Sequence, residues 1–206
     1  GYRASIDAVF LSALISQAAP GERILDIGSG TGAVSLCLAH RFPKCHITGL
    51  EIQPRLAELS NLSASANGFD NLRYINCDIR QPLSVVDNCS FHHVISNPPY
   101  TDHDMPSPNP GKAFAHNHQQ FDLPSWIAFA LKMMRPKGYF YMINRTEAIE
   151  EILAGLHKKA GAITIVPLHS KEGQPAKRIL VSARKDSKAP AQILPGLVVH
   201  SADGKY

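Results

Sequence analysis

Apolar and polar positions follow two rhythms that take turns along this chain. Ile6, Val9, Phe10, Ala13 and Leu14 recur at helical spacing until Pro20-Gly21 ends the pattern, which predicts an opening helix. RILDI (Arg23 to Ile27) is a short apolar run bounded by glycines, and AVSLCLAHRF behind it has helical length and composition. The alternation then repeats. CHITGLEI reads as a second strand, Pro54 to Asn67 as a helix with proline in its first turn, and LRYINCD as a third strand. FHHVISN gives a fourth strand, followed by a long polar loop from Thr101 to about Gln120, a helix near Leu123 to Met134, and GYFYMIN as a fifth strand.

Strands alternating with helices predict an α/β fold, a parallel sheet covered by helices on both faces. The last part changes character. AITIVPL and AKRILVSARK are strand-like runs separated only by HSKEGQP, too short for a crossover helix, so they pair as an antiparallel hairpin. Five parallel strands and a terminal hairpin make a mostly parallel, Rossmann-like sheet of seven strands; QILPGLVVH in the tail offers a further edge strand. With 206 residues, 44% hydrophobic and 18% charged, the chain is expected to form one domain over residues 1–206.

No apolar run approaches the roughly 20 residues that span a bilayer, and a secretory signal pattern is missing at the N-terminus, so a soluble protein is expected. Cys37, Cys45, Cys77 and Cys89 show neither a C-x-x-C pair nor metal-ligand spacing, which reads as reduced thiols in a cytoplasm rather than disulfides or zinc ligands. The formal net charge is +4, and seven basic against three acidic residues from Lys171 to Tyr206 account for all of it. Such an excess is either a solvated face or a phosphate-contacting edge.

The candidate chemistry begins at LDIGSGTG, where Gly28, Gly30 and Gly32 join the first strand to the first crossover helix. Glycines there let the backbone turn tightly and approach a ligand beside the free N–H groups of a helix start. Glu51 ends the second strand, where an acid can accept from both hydroxyls of a ribose, and Asp78 ends the third. In an open parallel sheet Asp26, the glycine loop, Glu51 and Asp78 converge on one crevice. Asp26 discriminates between ligands, because a carboxylate before the glycines repels a pyrophosphate and favours a cation. S-adenosylmethionine (SAM) carries a sulfonium, an ammonium group, a ribose, and an adenine whose amino group can donate to Asp78.

In these motifs, LDIGSGTG, LEI and CDI in that order, the chain resembles the class I SAM-dependent methyltransferases. That resemblance implies cofactor contacts from Asp26, Gly28, Ser29, Gly30, Glu51, Ile52, Asp78, Ile79 and Asn97. It also implies the terminal hairpin.

Asn97-Pro98-Pro99-Tyr100 leaves the fourth strand at the place where the resemblance puts the methyl donor. The lone pair of an amine on a purine ring or a carbonyl is delocalised, so the nitrogen is a poor nucleophile and orientation must compensate. The Asn97 oxygen and the Pro98 carbonyl can each accept one N–H of a planar amine and aim its nitrogen, while stabilising the charge that develops on it. Pro98 and Pro99 bring a fixed φ and no N–H, and Tyr100 a face on which a base stacks. The tetrapeptide resembles the signature of methyltransferases acting on planar amines: adenine N6, guanine N2 in rRNA, or a glutamine side chain in release factors.

The release-factor enzymes carry a helical domain before the first strand, whereas some twenty residues precede Arg23 here, which counts against a protein substrate. Base-specific DNA enzymes generally need a sizeable recognition insert, and the longest loop runs only from Thr101 to Gln120, which favours RNA. GYRASIDAVFLSAL, SPNPGKAFAH and PAKRILVSARK with LPGLVVH resemble the bacterial tRNA(Val) adenine-N6 methyltransferase family. That implies methylation of the adenine next to the anticodon of tRNA(Val), with the loop Thr101 to Gln120 ordering over a flipped base. An RNA-binding assembly factor without turnover is the non-enzymatic alternative, and the intact Asn97 to Tyr100 argues against it. Lys177, Arg178, Arg184 and Lys185 are the candidate phosphate contacts, and Tyr2, Arg3 and Asp7 candidates for closing the cofactor pocket. His103, His116 and His118 in the loop read as solvated or phosphate-facing; methyl transfer needs no metal, and none is expected.

Overall fold

Five parallel strands form the body of the sheet in the computed structural model, which describes residues 6–81, 85–99 and 121–200. They are β1 (Arg23–Ile27), β2 (His46–Glu51), β3 (Leu72–Asn76), β4 (Phe91–Ser96) and β5 (Met134–Arg145), in the spatial order β3-β2-β1-β4-β5. β6 (Ala160–His169) and β7 (Ala176–Lys185) form the expected antiparallel hairpin, with β7 inserted between β5 and β6. The order reverses between β1 and β4, so a crevice opens outside the carboxyl ends of these two strands. The tail adds β8 (Gln192–Ile193) and β9 (Leu197–Val198), both parallel to β6, giving nine strands among the described residues rather than seven.

Side chains along each strand alternate between two cores. Ile24, Ile47, Ile95 and Ile143 pack under α1 (Ile6–Ala13), α2 (Ala33–Arg41) and α3 (Pro54–Ala66). Leu25, Leu50, Val94 and Phe140 pack under α4 (Leu123–Met133) and α5 (Ile149–Leu156). Because both faces are covered, the parallel strands read as almost unbroken apolar runs. α4 starts where Asp122 accepts a hydrogen bond from the Ser125 N–H at 2.8 Å, with proline in its first turn.

Two elements depart from the sequence reading. β5 begins at Met134 rather than Gly138, because its pairing with β4 jumps from Phe91–Met134 to His93–Tyr139 and leaves Arg135 to Gly138 as a bulge. A Cβ at Gly138 would press on the carbonyls of Arg135, His92 and Phe91, so only glycine closes that bulge without displacing backbone. The second departure is α5, preceded by a 3₁₀ turn over Thr146–Ala148. It buries Ile152 and Leu156, and Ile149 packs on the same core, so its apolar spacing is helical though only two turns long.

Candidate active site at the carboxyl ends of β1, β2 and β4

Between β1 and α2 the chain turns through Gly28, Gly30 and Gly32, all left-handed at φ 70°, 56° and 84°. Space as well as torsion requires glycine. A Cβ at Gly28 would stand 3.0 Å from the Trp126 ring, and one at Gly32 would run into Tyr74. The N–H groups of Gly28 and Ser29 both donate to the Leu50 carbonyl, at 2.9 and 3.0 Å, which stitches the loop to the end of β2.

Glu51 sits at that junction and is 5% exposed. One carboxylate oxygen accepts from the Gly30 N–H and the other from the Gln53 N–H, each at 2.8 Å. Each oxygen keeps a second lone pair for a ligand hydroxyl. The next residue, Ile52, is 40% exposed and offers an apolar surface beside the carboxylate.

Asp26 lies beneath the loop rather than on the crevice surface. It is 1% exposed and accepts from the Ser35 hydroxyl at 2.5 Å and from the Ser35 backbone N–H. α2 has Gly32 as its N-cap and no capping side chain there, so a carboxylate from the neighbouring strand holds the helix start instead. Burial pushes the Asp26 carboxyl up to about 7; the Ser35 hydrogen bonds oppose this and the nearby Glu51 charge adds to it. Its influence on the crevice is therefore that of a buried charge whose state changes near neutrality, without direct contact.

Asp78 is one turn removed from this group. Arg80 grips its carboxylate, with Nε 2.8 and 2.9 Å from the two oxygens and a terminal nitrogen at 2.5 Å, and the Arg80 N–H donates to it as well. Any purine amino group reaching Asp78 shares it with that guanidinium. Ile79 packs against the core beside it.

On the other side of β1, the register pairs Ser96 with Ile27, so Asn97 comes level with Gly28. Asn97 is half-buried, Pro98 buried and Pro99 exposed. The Ser96 hydroxyl donates to the Ile27 carbonyl and accepts from the Trp126 indole N–H, both at 2.8 Å. Two hydrogen bonds thus join Trp126, the residue before Asn97 and the residue before the glycine loop, with the indole lying against Gly28. Trp126 was not among the residues read from the sequence. The signal that could have found it is that it is the only tryptophan in the chain and stands in the first turn after a capped helix start.

The four basic candidates do not gather at one place. β7 runs antiparallel to β5, so Lys177 and Arg178 lie near Arg145 at the crevice end, while Arg184 faces Tyr139 at the opposite end. Six residues at about 3.3 Å each separate the two pairs by roughly 20 Å. Arg178 forms an ion pair with buried Asp7 of α1 at 3.2 Å, Lys177 is exposed, and the Lys185 ammonium donates to the carbonyls of Leu131 and Met134 at the end of α4. Tyr2, Arg3, Tyr100, His103, His116 and His118 lie outside the described residues.

Comparison with known proteins bears on this geometry. The family model described as "Methyltransferase domain" matches residues 18–184. The tRNA1(Val) (adenine(37)-N6)-methyltransferase of Porphyromonas gingivalis is 28% identical over 213 residues, covering 99% of this chain and 84% of that protein. The release factor glutamine methyltransferase of Vibrio cholerae is 35% identical over only 83 residues, 40% of this chain and 28% of its own length. Among solved structures, a predicted O-methyltransferase from Agrobacterium tumefaciens superposes with a TM-score of 0.79 at 26% identity, covering 95% of this chain and 88% of its own.

Proposed function

Because the chain belongs to the methyltransferase domain family, we propose that it transfers the methyl group of SAM to the exocyclic N6 amine of an adenine in RNA, in tRNA(Val) beside the anticodon. The register of β1 against β4 carries this reading, since it sets Asn97 level with the glycine loop at the strand-order reversal. Near-full-length similarity to proteins named for that reaction supports the adenine, whereas the glutamine methyltransferase shares only 40% of the chain.

When bound, SAM supplies an electrophilic methyl group on a sulfonium. The residues present fit it: Glu51 has unused lone pairs for ribose hydroxyls, Ile52 an exposed apolar face for a purine, and the left-handed glycines leave room where a Cβ would collide. The Ser29 hydroxyl, 8% exposed, has no hydrogen-bond partner among the described residues and is one more polar group at the loop. At the acceptor side, the Asn97 oxygen and the Pro98 carbonyl each take one amine hydrogen, which fixes the nitrogen and turns its lone pair toward the donor. Were the amine methylated there, the Asn97 oxygen and the Pro98 carbonyl would stabilise the positive charge developing on the nitrogen until one of its protons left to water. Ser96 and Trp126 hold the two sides of this arrangement together. The four free thiols and an RNA substrate suit a cytoplasmic setting.

Labelled SAM incubated with the chain and either tRNA or release factor separates the readings. Label in tRNA, recovered as N6-methyladenosine by nucleoside mass spectrometry, is the expected result. Label confined to the protein would transfer the reading to a glutamine amide.

A further inference from the structure

We infer that the end of the sheet remote from the crevice is a second contact surface for the RNA, one that grips phosphates of the tRNA body while the anticodon loop occupies the crevice. This rests on the RNA reading above and extends it to the substrate's bulk.

Three connections meet there, because β5, β7 and β6 are neighbours and each has one end at that edge. Arg135 and Lys137 belong to the turn at β5, Lys158 and Lys159 to the turn before β6, and Arg184 and Lys188 to the end of β7 and its exit; all six are exposed. Hydrogen bonds lock these turns together. Arg184 Nε donates to the Lys137 carbonyl at 3.3 Å, the Lys137 ammonium donates to the Asp186 carbonyl, and the Asp186 N–H donates to the Lys159 carbonyl at 3.0 Å.

With Lys132 and Lys185, residues 132–138, 157–161 and 184–189 hold eight lysines and arginines against one acid, Asp186. The whole chain carries only +4, so everything outside these turns is net acidic. At the crevice end, Arg80 and Arg178 are paired with Asp78 and Asp7, the exposed Arg145, Lys171 and Lys177 are offset by Glu147 and Glu172 on the same connections, and Asp26 and Glu51 are buried beside the glycine loop. Long-range attraction for a polyanion must therefore come mainly from the remote end. Lys137 and Lys158 also adopt φ 61° and 60°, where glycine is unstrained. At Lys137 part of the return is the bond to the Asp186 carbonyl; at Lys158 a charged side chain that glycine lacks is kept exposed, as a phosphate contact requires.

An anionic membrane is the competing partner for a polybasic face, but insertion needs exposed apolar side chains. Within residues 132–139, 157–161 and 184–189 Tyr139 is the one large exposed apolar side chain, and the Arg184 guanidinium lies over its ring at 5.3 Å.

The test uses the full chain in two double variants, Lys137→Gly with Lys158→Gly and Arg135→Glu with Lys188→Glu. Neither pair touches the crevice, and the glycine pair relieves backbone strain. Binding is read with unmodified tRNA(Val) transcript and with its isolated anticodon stem-loop across a salt series. For the transcript, the dissociation constant is expected to rise roughly tenfold, and the slope of log affinity against log salt to shrink by about 0.7 to 0.9 for each phosphate no longer neutralised. Methylation of the stem-loop stays at the wild-type rate. Unchanged transcript affinity and slope in both variants overturn the inference, as does an equal loss on the stem-loop, or wild-type binding to phosphatidylserine vesicles in preference to tRNA. A wild-type chain that leaves tRNA unlabelled sinks the RNA reading itself, which the variants need not be made to reveal.

Discussion

At the crevice end of the sheet the left-handed positions between β1 and α2 are Gly28, Gly30 and Gly32; at the opposite end Gly21 and Gly68 take that region before β1 and β3, but around β4 to β7 it is occupied by Cys89, Lys137, Lys158, Ala162 and Asp186. A left-handed conformation costs a non-glycine residue roughly 1–2 kcal/mol. The crevice avoids that cost because Trp126 and Tyr74 crowd the turn and leave no volume for a side chain. At the remote end Gly21 and Gly68 avoid the cost in open space, whereas the turns at Lys137 and Lys158 accept it and keep side chains that glycine cannot provide. Backbone approach thus decides the residue at Gly28 and Gly32, and a charged side chain is what Lys137 and Lys158 retain.

Substitutions at the two ends sharpen or break that contrast. Asn97→Ala is expected to slow methyl transfer by at least about 100-fold, with cofactor affinity changed by no more than about twofold; equal loss of both, measured by single-turnover kinetics and calorimetry, would remove Asn97 from the acceptor side. Gly32→Ala should lower stability by about 2–4 kcal/mol through strain and collision with Tyr74, whereas Lys137→Gly, which sets relief of strain against loss of the ammonium's bond to the Asp186 carbonyl, should change it by less than about 1 kcal/mol. Urea unfolding compares the pair directly, and a neutral Gly32→Ala would end the crowding argument.

Trp126→Leu should reduce kcat roughly tenfold, about 1.4 kcal/mol, with a smaller change in KM for tRNA, and Trp126→Phe should recover part of it by keeping the ring against Gly28. As the only tryptophan, Trp126 makes the emission of the whole chain a local probe. No change in its fluorescence on adding S-adenosylhomocysteine would place it away from the cofactor.

The smallest effect is the pH dependence. Asp26 is neutral below about 7 and ionised above it, so affinity for a cationic cofactor should improve severalfold as pH rises through about 7, and Asp26→Asn should flatten the profile. Stability moves the other way. A carboxyl whose folded pKa is raised above its unfolded value binds more protons in the folded state, so the contribution from Asp26 is present at lower pH and lost as pH rises through about 7. Parallel pH profiles of affinity and stability would contradict the burial assigned to this residue.

Most of the framework was legible in the sequence, for a physical reason. Strands covered on both faces, such as RILDI and FHHVIS, announce themselves as apolar runs, and a connection as short as HSKEGQP leaves only a hairpin. α5 escaped notice because a helix of two turns gives too little periodicity to stand out among charged neighbours. The convergence of the glycine loop with Glu51 followed from strand ends alone. The burial of Asp26 did not, since it depends on which face of β1 the side chain takes and on Ser35 arriving from α2. Likewise the separation of Lys177 from Arg184 is invisible as a run of basic letters; it appears only once β7 is laid antiparallel along β5.

The tail beyond β7 folds back along β6, with Leu194 and Val199 donating to the carbonyls of Ile165 and His169, and Gly196 tucked against the His169 ring. Without that strip the outer amides and carbonyls of a ten-residue strand would stand open as a template for other chains. The strip over residues 192–199 therefore acts as a hem, guarding solubility at the margin of the sheet where catalysis has no stake.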